Sequence, residues 1–73
     1  MNIRDIVIQI LEENGIEIDD KGGVMNVESL NFISAIVEIE QKFDIDFFDE
    51  FLELGKFDTV DDFVRVITYI KQK

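Results

Sequence analysis

Apolar side chains return along this chain at intervals of three and four, and the rhythm breaks where Gly, Asp and Asn gather. Ile3, Ile6, Val7, Ile10 and Leu11 form the first run, with the spacing of a helix that buries one face. Asn2 and Asp5 are placed to cap its start, and Asn14-Gly15 to end it. From Ile16 to Glu28 the rhythm stops. Asp19, Asp20, Gly22 and Gly23 supply turn chemistry there, and Ile16, Ile18, Val24 and Met25 are expected to anchor a long loop to the core. A second helix is predicted over roughly residues 29–43, with Phe32, Ile33, Ile36, Val37, Ile39 and Phe43 on its apolar side. Asn31, Ser34, Ala35, Glu38 and Lys42 fall on the other side, while Glu40 lies near the middle of the apolar side, where the pattern gives it no role. "FDIDFFDEFLELGKF" is expected to hold a short third helix carrying Phe48, Phe51 and Leu52 and stopped by Gly55. Thr59 and Asp62 form a capping-box pattern with Asp in place of Glu, ahead of Val60, Phe63, Val64, Ile67 and Ile70 in a fourth helix that reaches about residue 71.

"DIVIQI" and "RVITYI" carry some strand character, but neither alternates strictly and both lie inside three-and-four patterns. The expected fold is therefore all-α: a small four-helix bundle with a long loop between its first two helices and a short third helix. The 73 residues leave room for one domain, residues 1–73, which can remove only about 60% of its chain surface from water on folding. No apolar stretch approaches the roughly 18 residues of a membrane span. "MNIRDIVIQI" is interrupted by Arg4, Asp5 and Gln9 and lacks the pattern of a signal peptide, so a cytoplasmic protein is expected.

Charge and the missing residue types narrow the chemistry. Seventeen acidic residues against seven basic ones give a net charge of -10, which repels nucleic acid and anionic membranes and attracts basic protein surfaces. Salt should weaken such encounters by screening. With no Cys and no His, the chain cannot supply a thiol nucleophile, an imidazole acid or base, or a zinc site of the usual kind. No catalytic residues are assigned, no metal is expected, and the chain is not expected to be an enzyme.

Three constellations invite stronger readings. Glu17 to Glu28 mimics a twelve-residue calcium loop, but Lys21 holds the fifth place, where an oxygen ligand belongs, so an ordinary acidic loop is expected. Asp44, Asp46, Asp49, Glu50 and Glu53 form an acidic cluster with no catalytic partner of another type, which fits a solvated surface. Phe32, Phe43, Phe51 and Phe63 are expected to build the core, at roughly 1.5–3 kcal/mol per fully buried side chain.

Ser29 has two readings. Its hydroxyl can cap the second helix by accepting from a first-turn N–H, and composition alone favours this. A helix N-terminus also offers free N–H donors and partial positive charge, which suit an anionic group attached at that point. A phosphate ester on Ser29 would be well placed.

"ESLNFISAIVEIEQKFDI" resembles the modification segment of acyl and peptidyl carrier proteins, in which an Asp-Ser-Leu signature opens the second helix and a Phe-Asp-Ile-like stretch closes it. The resemblance extends over nearly the whole chain, through "DFFDE" at the short third helix and "FDTVDDFVRVI" at the last. Glu28 stands where the family usually has Asp, Asn26 where many members have Gly, and the common Leu-Gly approach is absent. The resemblance implies a carrier domain of acyl-carrier type, acting as a free-standing monomer. Ser29 would receive a 4'-phosphopantetheine arm from coenzyme A through a phosphopantetheinyl transferase. The thiol of the arm would hold acyl or aminoacyl groups as thioesters while partner enzymes with basic patches load and process them, in a polyketide, nonribosomal peptide or fatty-acid related pathway. Partner recognition is expected at Glu28, Leu30, Ser34, Val37, Glu38 and Gln41, where two border apolar residues lie among polar ones. Two other readings stay open: an acidic helical interaction module that never acquires an arm, and a degenerate carrier that is never modified.

Overall fold

The computed structural model of the chain describes residues 2–47 and 57–72. Three helices and a small hairpin follow in the order α1 (Ile3–Glu13), β1 (Glu17–Ile18), β2 (Val24–Met25), α2 (Ser29–Phe43) and α3 (Val60–Lys71). The predicted first, second and fourth helices are thus present with ends close to those expected. The predicted third helix lies outside the described residues, as do Phe48, Phe51 and Leu52. The chain is mostly helical, and α1 packs against both α2 and α3.

Local chemistry sets the ends of α1. The Asn2 side chain accepts from the Asp5 N–H at 2.8 Å, which satisfies one donor of the first turn. At the other end Gly15 takes φ +80°, the left-handed conformation open to glycine at low cost. The Gly15 N–H then reaches the Glu12 carbonyl and the Ile16 N–H reaches the Leu11 carbonyl, at 3.1 and 3.0 Å. This pair of bonds closes the helix in a Schellman motif, and the apolar contact that accompanies it comes from Leu11 and Ile16, both buried.

The long loop is not wholly irregular, which corrects the all-α expectation. Glu17 pairs with Met25 and Ile18 with Val24 in an antiparallel hairpin. Its turn is built by Asp19, whose Oδ1 accepts from the Lys21 and Gly23 N–H groups at 2.8 Å each. Gly22 follows in the left-handed region at φ +84°. The Asp19 oxygen that would fill the third place of a calcium loop is therefore engaged by backbone. The hairpin docks on the start of α3: the Val24 N–H donates to the Asp58 carbonyl and the Val60 N–H to the Gly22 carbonyl, at 2.9 and 2.8 Å. Strand pairing of two residues per strand, supported from a distant segment, leaves too short an alternation to be read in sequence.

The core gathers Val7, Ile10 and Leu11 of α1, Phe32, Ala35, Ile36 and Ile39 of α2, and Val60, Phe63 and Ile67 of α3, with Ile16, Phe47 and Phe57 from the connections. Phe57 stacks on Phe63 with ring centres 4.4 Å apart, and Phe32 lies 5.6 Å from Phe57 and 6.3 Å from Phe63, so aromatic contacts join α2 to α3. Of the four phenylalanines expected in the core, Phe32 and Phe63 are buried and Phe43 is half-buried. Three residues of α2 depart from their expected sides. Ala35 is fully buried, whereas Ile33 and Val37 are 56% and 45% exposed. Met25, expected as an anchor, is instead 44% exposed.

Glu40 acquires a role. Its Oε2 accepts from the Phe47 N–H at 2.7 Å, and its carbonyl accepts from the Ile45 N–H at 3.0 Å. With Asp44 in the left-handed conformation at φ 55°, these bonds turn the chain back after α2 and bring Phe47 into the core.

Candidate functional site: the open end and outer face of the second helix

Ser29 is the first residue of α2 and is exposed. The residue in the capping position is Glu28, and it makes no side-chain capping bond. Ser29 is therefore not the cap of this helix. Its hydroxyl has no hydrogen-bond partner among the described residues, and neither have the N–H groups of Ser29, Leu30 and Asn31; the next, that of Phe32, is bonded to the Glu28 carbonyl at 2.8 Å. No acidic side chain lies in the first turn of α2, whereas α1 carries Asp5 there and α3 carries Asp61 and Asp62. Free donors and an exposed hydroxyl thus coincide at one end of one helix.

The approach to this end is also defined. Asn26, three residues ahead of Ser29, has φ 56°. Asn is among the few residues besides Gly that enter this left-handed region readily. Its side-chain amide donates to the Glu17 carboxylate, which ties the approach to β1.

Leu30, Ile33 and Val37 follow Ser29 along one outer stripe of α2, and Leu30 is 78% exposed. Ser34 and Gln41 are exposed beside them, and Glu38 is half-buried. A shallow groove of about 330 Å³ runs between this stripe and the end of α1, lined by Asn14, Ile33, Ser34, Val37, Glu38 and Gln41. The Asn14 side-chain amide bridges the Ile10 carbonyl at 2.8 Å and the Glu38 Oε1 at 3.1 Å, which fixes the groove wall. Five of the six residues expected to meet partners, namely Leu30, Ser34, Val37, Glu38 and Gln41, are brought to this face, and Glu28 lies at its open end. Glu38 differs from the expectation in being tied down by Asn14. Ile33, expected on the apolar side, belongs instead to the outer stripe, and its spacing, three after Leu30 and four before Val37, carries that signal.

The N-terminal end of α3 gives a contrast in the same molecule. Thr59 Oγ1 accepts from the Asp62 N–H at 3.2 Å, and Asp62 Oδ2 accepts from the Asp58 and Thr59 N–H groups at 2.8 and 3.0 Å. Asp62 also pairs with Arg65. Partial burial alone would raise the Asp62 carboxyl; the N–H bonds from Asp58 and Thr59, the Arg65 charge and the Thr59 side chain outweigh it and hold the group below its ordinary value.

Among the described residues, no group of three or more His, Cys, Asp or Glu side chains is placed to hold a metal ion, and no helix is long and apolar enough to cross a membrane. Compared with known protein families, curated proteins and solved structures, the chain has no match.

Proposed function

We propose that this chain is a carrier protein of the acyl or peptidyl carrier type, with a small four-helix fold of that kind, modified with 4'-phosphopantetheine at Ser29. The observation that carries the reading is the open start of α2, where an exposed serine hydroxyl sits among three unpaired N–H groups and no first-turn carboxylate. A phosphodiester attached there meets donors that no side chain among the described residues occupies. When bound, the arm supplies a thiol that holds an acyl or aminoacyl group as a thioester, which a chain without Cys cannot do by itself.

The chain's own residues then have separable tasks. Ser29 presents the oxygen to be esterified, and the Leu30 and Asn31 N–H groups favour negative charge beside it. Leu30, Ile33 and Val37 give a partner an apolar strip beside the polar side chains of Ser34 and Gln41. Asn26 supports the resemblance in a second way: many carriers have Gly at this place, and the backbone here has the positive φ that Gly adopts most easily. Phosphopantetheinyl transferase and acyl- or aminoacyl-handling enzymes are the proposed partners, in the cytoplasm, with the chain acting as a monomer in a polyketide, nonribosomal peptide or fatty-acid related pathway.

Purified protein incubated with coenzyme A, magnesium and a broad-specificity transferase should gain the mass of one phosphopantetheinyl group, and Ser29→Ala should gain none. If the native chain stays unmodified with several transferases, the acidic interaction module becomes the better reading.

A further inference from the structure

A second concavity lies on the other side of the Asn14-Gly15 turn. It is an open groove of about 730 Å³ between the end of α1 and the hairpin, and its apolar lining comes from Ile16, Ile18 and Met25. Four carboxylates, those of Glu12, Glu17, Asp19 and Asp20, line it, and no basic side chain does. The Glu12 and Asp20 side chains have no hydrogen-bond or ion-pair partner among the described residues, and both are exposed.

The groove also has a backbone edge. The Asp19 N–H donates to the Gly23 carbonyl at 2.9 Å, while the Gly23 N–H is taken by the Asp19 side chain, so a single ladder bond closes the hairpin next to the Ile18–Val24 pair. Ile18 and Val24, the adjacent pair, are then non-hydrogen-bonded, and their main-chain groups point out of the hairpin on either side. On the β2 side the Val24 N–H is taken by the Asp58 carbonyl. On the β1 side the Ile18 N–H and carbonyl have no partner among the described residues. An unpaired strand edge, an exposed Met25 and carboxylates of a single sign therefore share one groove.

We propose that this groove is a docking site for an extended, lysine- or arginine-bearing segment of a protein partner, which adds its main chain to Ile18 and sets its apolar side chains against Met25. Edge pairing supplies the main-chain bonds, and the carboxylates select basic side chains over acidic ones. The site adjoins the outer face of α2. Asn14 lines the α2 groove, Gly15 lines this one, and a Cβ on Gly15 would come within 3.3 Å of the Asn31 side chain. One partner can span both. The α2 strip would give it apolar contact and the hairpin groove would give it charge, so the salt sensitivity of docking resides at the hairpin.

The test uses the unmodified chain, labelled with nitrogen-15 and titrated at low ionic strength with a short synthetic peptide alternating Lys and Val, beside a counterpart alternating Glu and Val. The Lys peptide should shift amide signals centred on Ile18, Asp19 and Met25 and slow hydrogen exchange at the Ile18 N–H. The double variant Glu12→Gln with Asp20→Asn should weaken binding about threefold to tenfold, as expected for two surface charge pairs. Asp5→Asn with Asp46→Asn, an equal change of charge elsewhere, should leave it within about twofold. Shifts spread evenly over the surface, unchanged exchange at Ile18, equal losses in both double variants, or an equal response to the Glu peptide would overturn the proposal. Ser29→Ala should bind the peptide as the native chain does, so this outcome is independent of whether Ser29 carries an arm.

Discussion

The N-terminal ends of α2 and α3 are built from different residues and treated in opposite ways. At α3 the Thr59, Val60 and Asp62 N–H groups all have acceptors, supplied by a reciprocal capping box and by the Gly22 carbonyl. At α2 the first three N–H groups have none among the described residues, and the capping position is given to Glu28, whose side chain does not cap. The first helical residue is a fully buried Val60 in one case and an exposed Ser29 in the other. One end contributes to stability, and the other leaves its donors available.

Substitutions at matched positions should separate these roles. Val60→Ala removes two buried methyl groups from a fully enclosed site and should cost about 2–3 kcal/mol, whereas Ser29→Ala should stay within about 0.5 kcal/mol in chemical denaturation. One position further out, Thr59→Ala should cost about 1–2 kcal/mol and lower Tm by roughly 4–8 °C for each kcal/mol, while Glu28→Ala should change Tm little. Equal losses at the two ends would break the contrast. Glu28→Ser would place a capping hydroxyl where none acts now, and a gain of about 0.5–1 kcal/mol is expected.

Acidity should affect the two ends differently as well. The Asp62 carboxyl is depressed in the folded chain, so its contribution is fully present above the ordinary carboxylate range and is lost as pH falls through the lower folded value. Asp62→Asn should therefore lose stability relative to the native chain at about pH 7, and the gap should narrow by about pH 3. Comparing the two chains at each pH separates this from the general relief of repulsion as the other carboxylates become neutral. The smallest effect expected is at the approach to α2. Asn26→Gly should change stability by no more than a few tenths of a kcal/mol, because Gly adopts the same positive φ, whereas Asn26→Val should cost more than 1 kcal/mol by denaturant titration.

The helices were legible because each buries a stripe at three-and-four spacing, and because Asn2, Gly15 and the Thr59–Asp62 pair act within a few residues of where they stand. What sequence could not supply was set across distance. The hairpin depends on the Asp58–Val60 segment lying beside it. The function of Glu40 depends on Phe47 returning seven residues later. On α2 apolar residues spread over more than one side, so periodicity could not decide whether Ala35 or Ile33 faces inward; packing against α1 and α3 decides it. The same ambiguity concealed the outer stripe, since Leu30, Ile33 and Val37 have the residue types of a core and the exposure of a contact surface. Ser29 was legible as a helix start, but that it is left uncapped and unbonded emerged only from the geometry around it.

The proposed carrier function requires that Ser29 be the point where a prosthetic group is attached. Tandem mass spectrometry of the native chain, after incubation with coenzyme A, magnesium and a transferase, tests this directly because Ser34 is an internal control: it is exposed on the same helix but lies away from the open end. The predicted result is one phosphopantetheinyl group on Ser29 and none on Ser34, Thr59 or Thr68. A group found on Ser34, or a chain whose mass does not change with any of several transferases, would contradict it.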